Sequence, residues 1–186
     1  ANLNNAAYQA MAGRKGVVAL YNYQTGEVLC MLSTPSFDPA DDAEVAKVAA
    51  GDSNYDGAYL NRFLSGTYTP GSTFKLVTSA AALETLHNEN SFSYTCKGSL
   101  TLNGEKITCP SVHGTQDFAT ALANSCNGAF ATLATQVGGK TLEKYAQEAG
   151  LTSKVNVNGL NSAAGNFTAG TSDNDVGWSG VGQYKD

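Results

Sequence analysis

The stretch Tyr68-Thr69-Pro70-Gly71-Ser72-Thr73-Phe74-Lys75-Leu76-Val77-Thr78 constrains the fold of this chain more than any other. Pro70-Gly71 is a turn signal, and Ser72 follows it where a helix N-cap or first-turn residue belongs. No breaker interrupts the sequence from there to about Leu86. Phe74, Val77, Ala81 and Leu83 recur at the spacing of one helix face. The run Ala80-Ala81-Ala82 lets neighbouring elements approach closely, which predicts a helix buried on most sides.

That helix carries chemistry. Residues i and i+3 are neighbours on a helix surface, and long side chains lean back toward the N-terminus. Lys75 is therefore expected to reach over Ser72, at a helix mouth where free N–H groups and the positive end of the dipole gather. A hydroxyl beside an amine is an activated-nucleophile arrangement, with lysine as base in place of histidine. Alone, Ser-x-x-Lys is more often a capped helix with a solvated lysine than a catalytic pair.

A chain of 186 residues fits one domain or one lobe of a larger one. Apolar residues make up 42%, enough for a core, and the net charge of −5 with no basic patch argues against nucleic acid. No run approaches the ~20 apolar residues of a membrane span, and no signal peptide opens the chain. Ala1 begins directly into a helix-like segment, so the chain is expected to be trimmed at the front. Cys30, Cys96, Cys109 and Cys126 include no Cys-x-x-Cys pair, so the spacing gives no zinc pattern and no metal site is expected. Cys96 and Cys109 flank a hairpin-like run with Asn103-Gly104 as its turn. That register pairs Gly98 with Cys109 and sets Cys96 diagonal to it, compatible with a disulfide or with two packed thiols.

In chain order, Leu3 to Met11 reads as a helix, Gly16 to Asn22 as a buried strand, and Val28 to Leu32 as a second strand pairing back on it. Asp38 to Asp56 reads as an acidic surface excursion with a short helix near Ala43–Ala50. Beyond the hairpin, helices are predicted over Asp117–Ala123, Gly128–Val137 and Thr141–Ala149. Thr152 to Asp186 is rich in Asn, Gly, Ser and Thr and carries no assignable structure.

Asn124-Ser125-Cys126-Asn127 lies between two helical patterns. Residues two apart share a side only when the backbone is extended. For Ser125 and Asn127 to act together, this stretch must be a non-helical connector that turns Cys126 into the core as a packed thiol. A hydroxyl can relay a proton, and a carboxamide can both donate to and accept from a substrate amide. Ala134 to Thr141 is one residue short of a phosphate-binding loop but follows a helical pattern instead of a strand, so Gly138-Gly139 reads as a helix stop.

Ser72-Thr73-Phe74-Lys75 followed by Ser125-Cys126-Asn127 resembles the transpeptidase domain of penicillin-binding proteins. The similarity extends to Gly26-Glu27-Val28-Leu29, Ser33 to Pro39, the run from Asn61-Arg62 into Ser72, and Gly182-Gln183. The cysteine pair, His113-Gly114 and Ser125-Cys126-Asn127 resemble the class B, monofunctional branch. The resemblance implies an α+β fold of the β-lactamase/transpeptidase type, an antiparallel sheet packed against a helical cluster with a buried central helix. It also implies a D,D-transpeptidase that cross-links peptidoglycan stem peptides. Ser72 would attack the D-Ala-D-Ala carbonyl and Lys75 would be the base. Ser125 would relay protons, and Asn127 would hold the substrate amide. β-Lactams would acylate the same serine. No cofactor is implied, and the expected location is the extracytoplasmic face of a bacterial membrane.

The chain departs from the family in one respect: no Lys-Thr-Gly or Lys-Ser-Gly follows Asn127. Residues 1–186 are therefore expected to be a partial transpeptidase domain, incomplete at the C-terminus and weakly active alone. A second chain carrying the missing part is a candidate partner. Two alternatives stand beside this: a β-lactam-hydrolysing or β-lactam-sensing relative, and a non-catalytic interaction module.

Overall fold

Short elements closed by local turn chemistry dominate the first third of the chain. The computed structural model describes residues 2–88 and 90–184; Glu89 and the expected features at Ala1, Lys185 and Asp186 lie outside the described residues. The chain divides into two compact units, residues 2–67 with 154–163, and residues 68–153 with 164–184.

In the first unit, α1 (Asn2–Met11) precedes an antiparallel ribbon of β1 (Gly16–Tyr21) and β2 (Val28–Thr34). The ribbon's turn is held by Asn22, whose Oδ1 accepts from the Gln24 N–H at 2.9 Å. The strand expected to be buried is only half covered: Leu20 is 47% and Tyr21 66% exposed. A two-stranded ribbon leaves much of its surface to solvent, and in β2 only Cys30 and Thr34 are fully buried. α2 (Asp42–Ala49) starts where Asp41 accepts from the Ala43 and Glu44 amides. α3 (Arg62–Ser65) is capped in the same way by Asn61. A small ribbon, Asn156–Val157 with Leu160–Asn161, completes this unit.

The second unit is mostly helical. α4 (Lys75–Leu86) follows a 3-10 turn over Gly71–Phe74. β3 (Tyr94–Cys96) comes next, then a hairpin of β4 (Ser99–Leu102) and β5 (Glu105–Thr108), then β6 (Gly114–Gln116), which returns to pair with β3. The hairpin turns on Asn103-Gly104, both with positive φ, the geometry that Asn-Gly favours. The Cys109 N–H donates to Gly98 O at 2.9 Å, the register expected from the sequence. Four helices follow: α5 (Phe118–Ala123), α6 (Asn127–Val137), α7 (Gly139–Glu148) and α8 (Asp173–Val181). The α+β class is as expected, with the described antiparallel strands arranged as four two-stranded ribbons. Gly138, with φ of 86°, separates α6 from α7 as a helix stop. Among the described residues no helix is long and apolar enough to cross a membrane.

Small residues decide how the helices meet. A Cβ on Gly180 of α8 would lie 2.2 Å from the Ala134 Cβ of α6, so this crossing requires glycine. Phe130 and Leu133 of α6, Ile107 of β5 and Val181 of α8 are fully buried, with Ala82, Ala121, Ala129 and Ala131 filling the space around them.

Candidate active site

Of the face predicted along the helix, Phe74 and Ala81 are buried and Val77 is half-buried, and polar residues beside them are buried too. Phe74, Lys75, Thr78, Ser79, Ala81 and Ala82 are inside, whereas Leu76 is 64% and Leu83 39% exposed. Two of the polar residues on the inner side find partners there, while Ser79 Oγ is buried without one. Thr78 Oγ1 donates to Gly180 O at 2.8 Å, and Lys75 enters a polar cluster. Phe74, just before Lys75, is anchored by stacking on Phe167 with centroids 4.4 Å apart. This fixes the turn that presents Ser72, which is exposed.

Lys75 is 1% exposed, and its Nζ has four oxygens within hydrogen-bonding reach. They are Asn127 Oδ1 at 2.7 Å, Ser125 O at 2.8 Å, Ser125 Oγ at 2.9 Å and Ser72 Oγ at 3.0 Å. All four residues expected at the site are thus brought together. An ammonium has three donors for these four oxygens, whereas a neutral amine has two donors and a lone pair. Either form engages three of the four: an ammonium donates to three, and a neutral amine donates to the acceptor-only Ser125 carbonyl and Asn127 Oδ1 and accepts from a serine hydroxyl. Burial lowers the Lys75 pKa below the usual lysine value, and Cys126 and Cys109 pull the other way. No carboxylate forms an ion pair with Lys75 among the described residues.

Ser125 and Asn127 share a side by a different route from the extended connector expected. α5 ends in a Schellman motif: the Ser125 N–H donates to Leu122 O and the Cys126 N–H to Ala121 O, each at 2.9 Å. Ser125 occupies the left-handed position with φ of 51°, where glycine is usual and a serine is strained. Cys126 is extended and fully buried, as expected, and Asn127 opens α6. The Asn127 Nδ2 donates to Thr108 O at 2.8 Å, which fixes the carboxamide with Oδ1 toward Lys75. One N–H of Asn127 is left over for a ligand.

Gly182 braces the site. Its φ is 79°, its carbonyl accepts from the Gly71 N–H at 2.9 Å, and a Cβ there would lie 2.2 Å from Gly71 O and 2.7 Å from the Phe74 Cβ. Gly182→Ala is expected to cost about 2–4 kcal/mol in urea denaturation, adding overpacking to the left-handed penalty. Gly104→Ala, with a similar φ and nothing within 4 Å, is expected to cost only about 1–2 kcal/mol.

The sequence spacing missed one cluster. The fold gathers Cys96, Cys109, His113 and Cys126 so that one ligand atom from each lies within 4.8 Å of all the others, a convergence that the spacing along the sequence does not show. All four cysteines are free thiols, so Cys96 and Cys109 are not joined.

A model of the penicillin binding protein transpeptidase domain matches residues 16–184. Stage V sporulation protein D of Bacillus subtilis is 36% identical over 148 residues, covering 76% of this chain and 21% of that protein. The D,D-transpeptidase domain of a peptidoglycan glycosyltransferase from Eggerthella lenta superposes with a TM-score of 0.83 at 26% identity, covering 97% of this chain and 44% of that one. Penicillin-binding protein A of Mycobacterium tuberculosis, as its imipenem acyl-enzyme complex, gives 0.78 at 29% identity, covering 97% and 46%. The chain therefore spans less than half of each of these proteins.

Proposed function

The chain belongs to the penicillin-binding protein transpeptidase family, and from that premise we propose that it supplies the acylating centre of a D,D-transpeptidase acting on peptidoglycan stem peptides. The observation that carries the proposal is the convergence of Ser72 Oγ, Ser125 Oγ and Asn127 Oδ1 on Lys75 Nζ within 2.7–3.0 Å. Neutral Lys75 takes the Ser72 proton as Oγ attacks the carbonyl carbon between the two terminal D-alanines. The C–N bond then breaks, and the departing amine receives a proton through the Ser125 hydroxyl, which Lys75 Nζ reaches at 2.9 Å. Ser72 is left as an ester. A neighbouring stem's amine attacks that ester, the new amide forms, and the proton returns to Ser72 Oγ. The remaining Asn127 N–H donates to a substrate amide carbonyl. In this proposal the chain is part of a larger domain, in which the Lys-Thr/Ser-Gly segment belongs to the remainder, and the domain works outside the cytoplasm where its substrate lies.

The test uses the full-length protein with penicillin G and reads intact and peptide masses over hours. The expected result is an added mass equal to the whole antibiotic on the peptide bearing Ser72, persisting through the time course. No carboxylate hydrogen-bonds to Ser72, Lys75, Ser125 or Asn127 among the described residues, so slow loss of the adduct is the expected outcome. Quick loss of the adduct with release of opened penicillin identifies a hydrolase instead. No adduct at all leaves a non-catalytic module.

A further inference from the structure

We propose that Gln116 is a positioning residue for acylation, acting through Asn124 to hold the left-handed turn that delivers Ser125 to Lys75. The inference rests on the reading of Ser125 as the proton relay. α5 has six residues, too few to be stable as a helix by itself, so where its last turn ends depends on what anchors it. Its start is fixed by Asp117, whose Oδ1 accepts from the Thr120 N–H at 2.8 Å. Its inner side is fixed by Phe118 and Ala121, both buried. Its end is fixed from outside the helix: Asn124, the C-cap, donates from Nδ2 to Gln116 Oε1 at 2.8 Å. Gln116 is the last residue of β6 and pairs with Tyr94 of β3, so its side chain ties the far end of the helix to a strand.

The residue after that cap is Ser125. Its φ of 51° lies in the left-handed region, which a serine keeps only while the surrounding structure enforces it. Both of its contacts with Lys75 Nζ, through the carbonyl at 2.8 Å and through Oγ at 2.9 Å, depend on that backbone. A shift of about 1 Å in such a group is enough to cost about 10²-fold in rate. Stability gives Gln116 a weaker reason to be an amide. It is 3% exposed, and its Nε2 is buried with no hydrogen-bond partner among the described residues. An orphaned donor of this kind costs free energy that an apolar side chain of the same length does not, while Asn124 is exposed and can turn to water. The amide therefore weakens its own surroundings while it fixes the neighbouring turn.

The experiment follows acylation of the full-length protein by penicillin G with rapid-quench mass spectrometry, which separates the dissociation constant of the non-covalent complex from the rate constant of ester formation. Gln116→Met and Asn124→Ala are each expected to lower the rate constant by about 10–100-fold and to leave the dissociation constant unchanged, because the relay acts after binding. The double variant is expected to be no slower than either single one. In a Ser125→Ala background Gln116→Met is expected to add little, because it acts through the hydroxyl already removed. The urea midpoint of Gln116→Met is expected to hold or rise. Should the buried substitution fail to fold, Asn124→Ala, at an exposed position, carries the test. Acylation of Asn124→Ala at the unaltered rate overturns the inference, and so does a slowing by Gln116→Met that is as large with Ser125→Ala as without it. A slowed Ser125→Ala beside unaffected Gln116→Met and Asn124→Ala overturns this inference alone. Acylation of Ser125→Ala at the full rate, or no adduct on the unaltered protein, overturns the reading of the site beneath it.

Discussion

Ser72→Ala is expected to abolish covalent labelling of the full-length protein by a fluorescent penicillin, lowering the acylation rate by at least about 10⁴-fold. The alanine keeps the turn's backbone but has no atom to bond to the antibiotic. The fold should survive, because Ser72 is exposed and its hydroxyl is held by Lys75. Persistent labelling of Ser72→Ala, at any serine, would sink the assignment of the nucleophile.

How much of this was legible in the sequence depended on distance along the chain. Ser72 and Lys75 lie one helical turn apart, so local geometry alone predicts their meeting, and the Nζ–Oγ separation of 3.0 Å agrees. Ser125 and Asn127 lie fifty residues further on, and no periodicity can say that they face Lys75; only resemblance to a family proposed it. The inner face of α4 was read in part: Phe74 and Ala81 are buried as expected, but hydrophobic spacing cannot register a buried lysine and threonine whose partners come from other elements. α8 was missed because Asp173-Asn174-Asp175-Val176-Gly177-Trp178-Ser179-Gly180-Val181 holds two glycines, poor helix formers. Those glycines serve the packing: a Cβ at Gly177 would lie 2.7 Å from Ile107 Cδ1. The available signal was the capping box, Ser172 with Asp175. The cysteine–histidine cluster escaped because metal motifs are sought at short spacings, and here three separate chain segments converge.

Lys75→Met is expected to slow acylation by about 10³–10⁴-fold while leaving Ser72 in place. Methionine nearly matches the volume of the lysine stem and preserves contact with the Phe130 ring, over which Nζ lies at 5.8 Å. It supplies no proton acceptor of comparable basicity. Lys75→Arg should fail as completely, because a guanidinium does not give up its proton at any working pH. The two variants together separate loss of base from loss of positive charge. In the unaltered protein the pH profile has a definite sign. The reactive form is the neutral amine, so the acylation rate rises with pH through the Lys75 pKa, and burial places that limb below the ordinary lysine value of 10.5. Stability moves the same way. Between the lowered native pKa and the unfolded one, the unfolded chain binds the extra proton, so the fold gains stability as pH rises across that window. Both slopes should vanish in Lys75→Met. A rate profile unchanged by that substitution would assign the base to another group, and the convergence of four oxygens on one buried amine would then be a structural knot with no part in the chemistry.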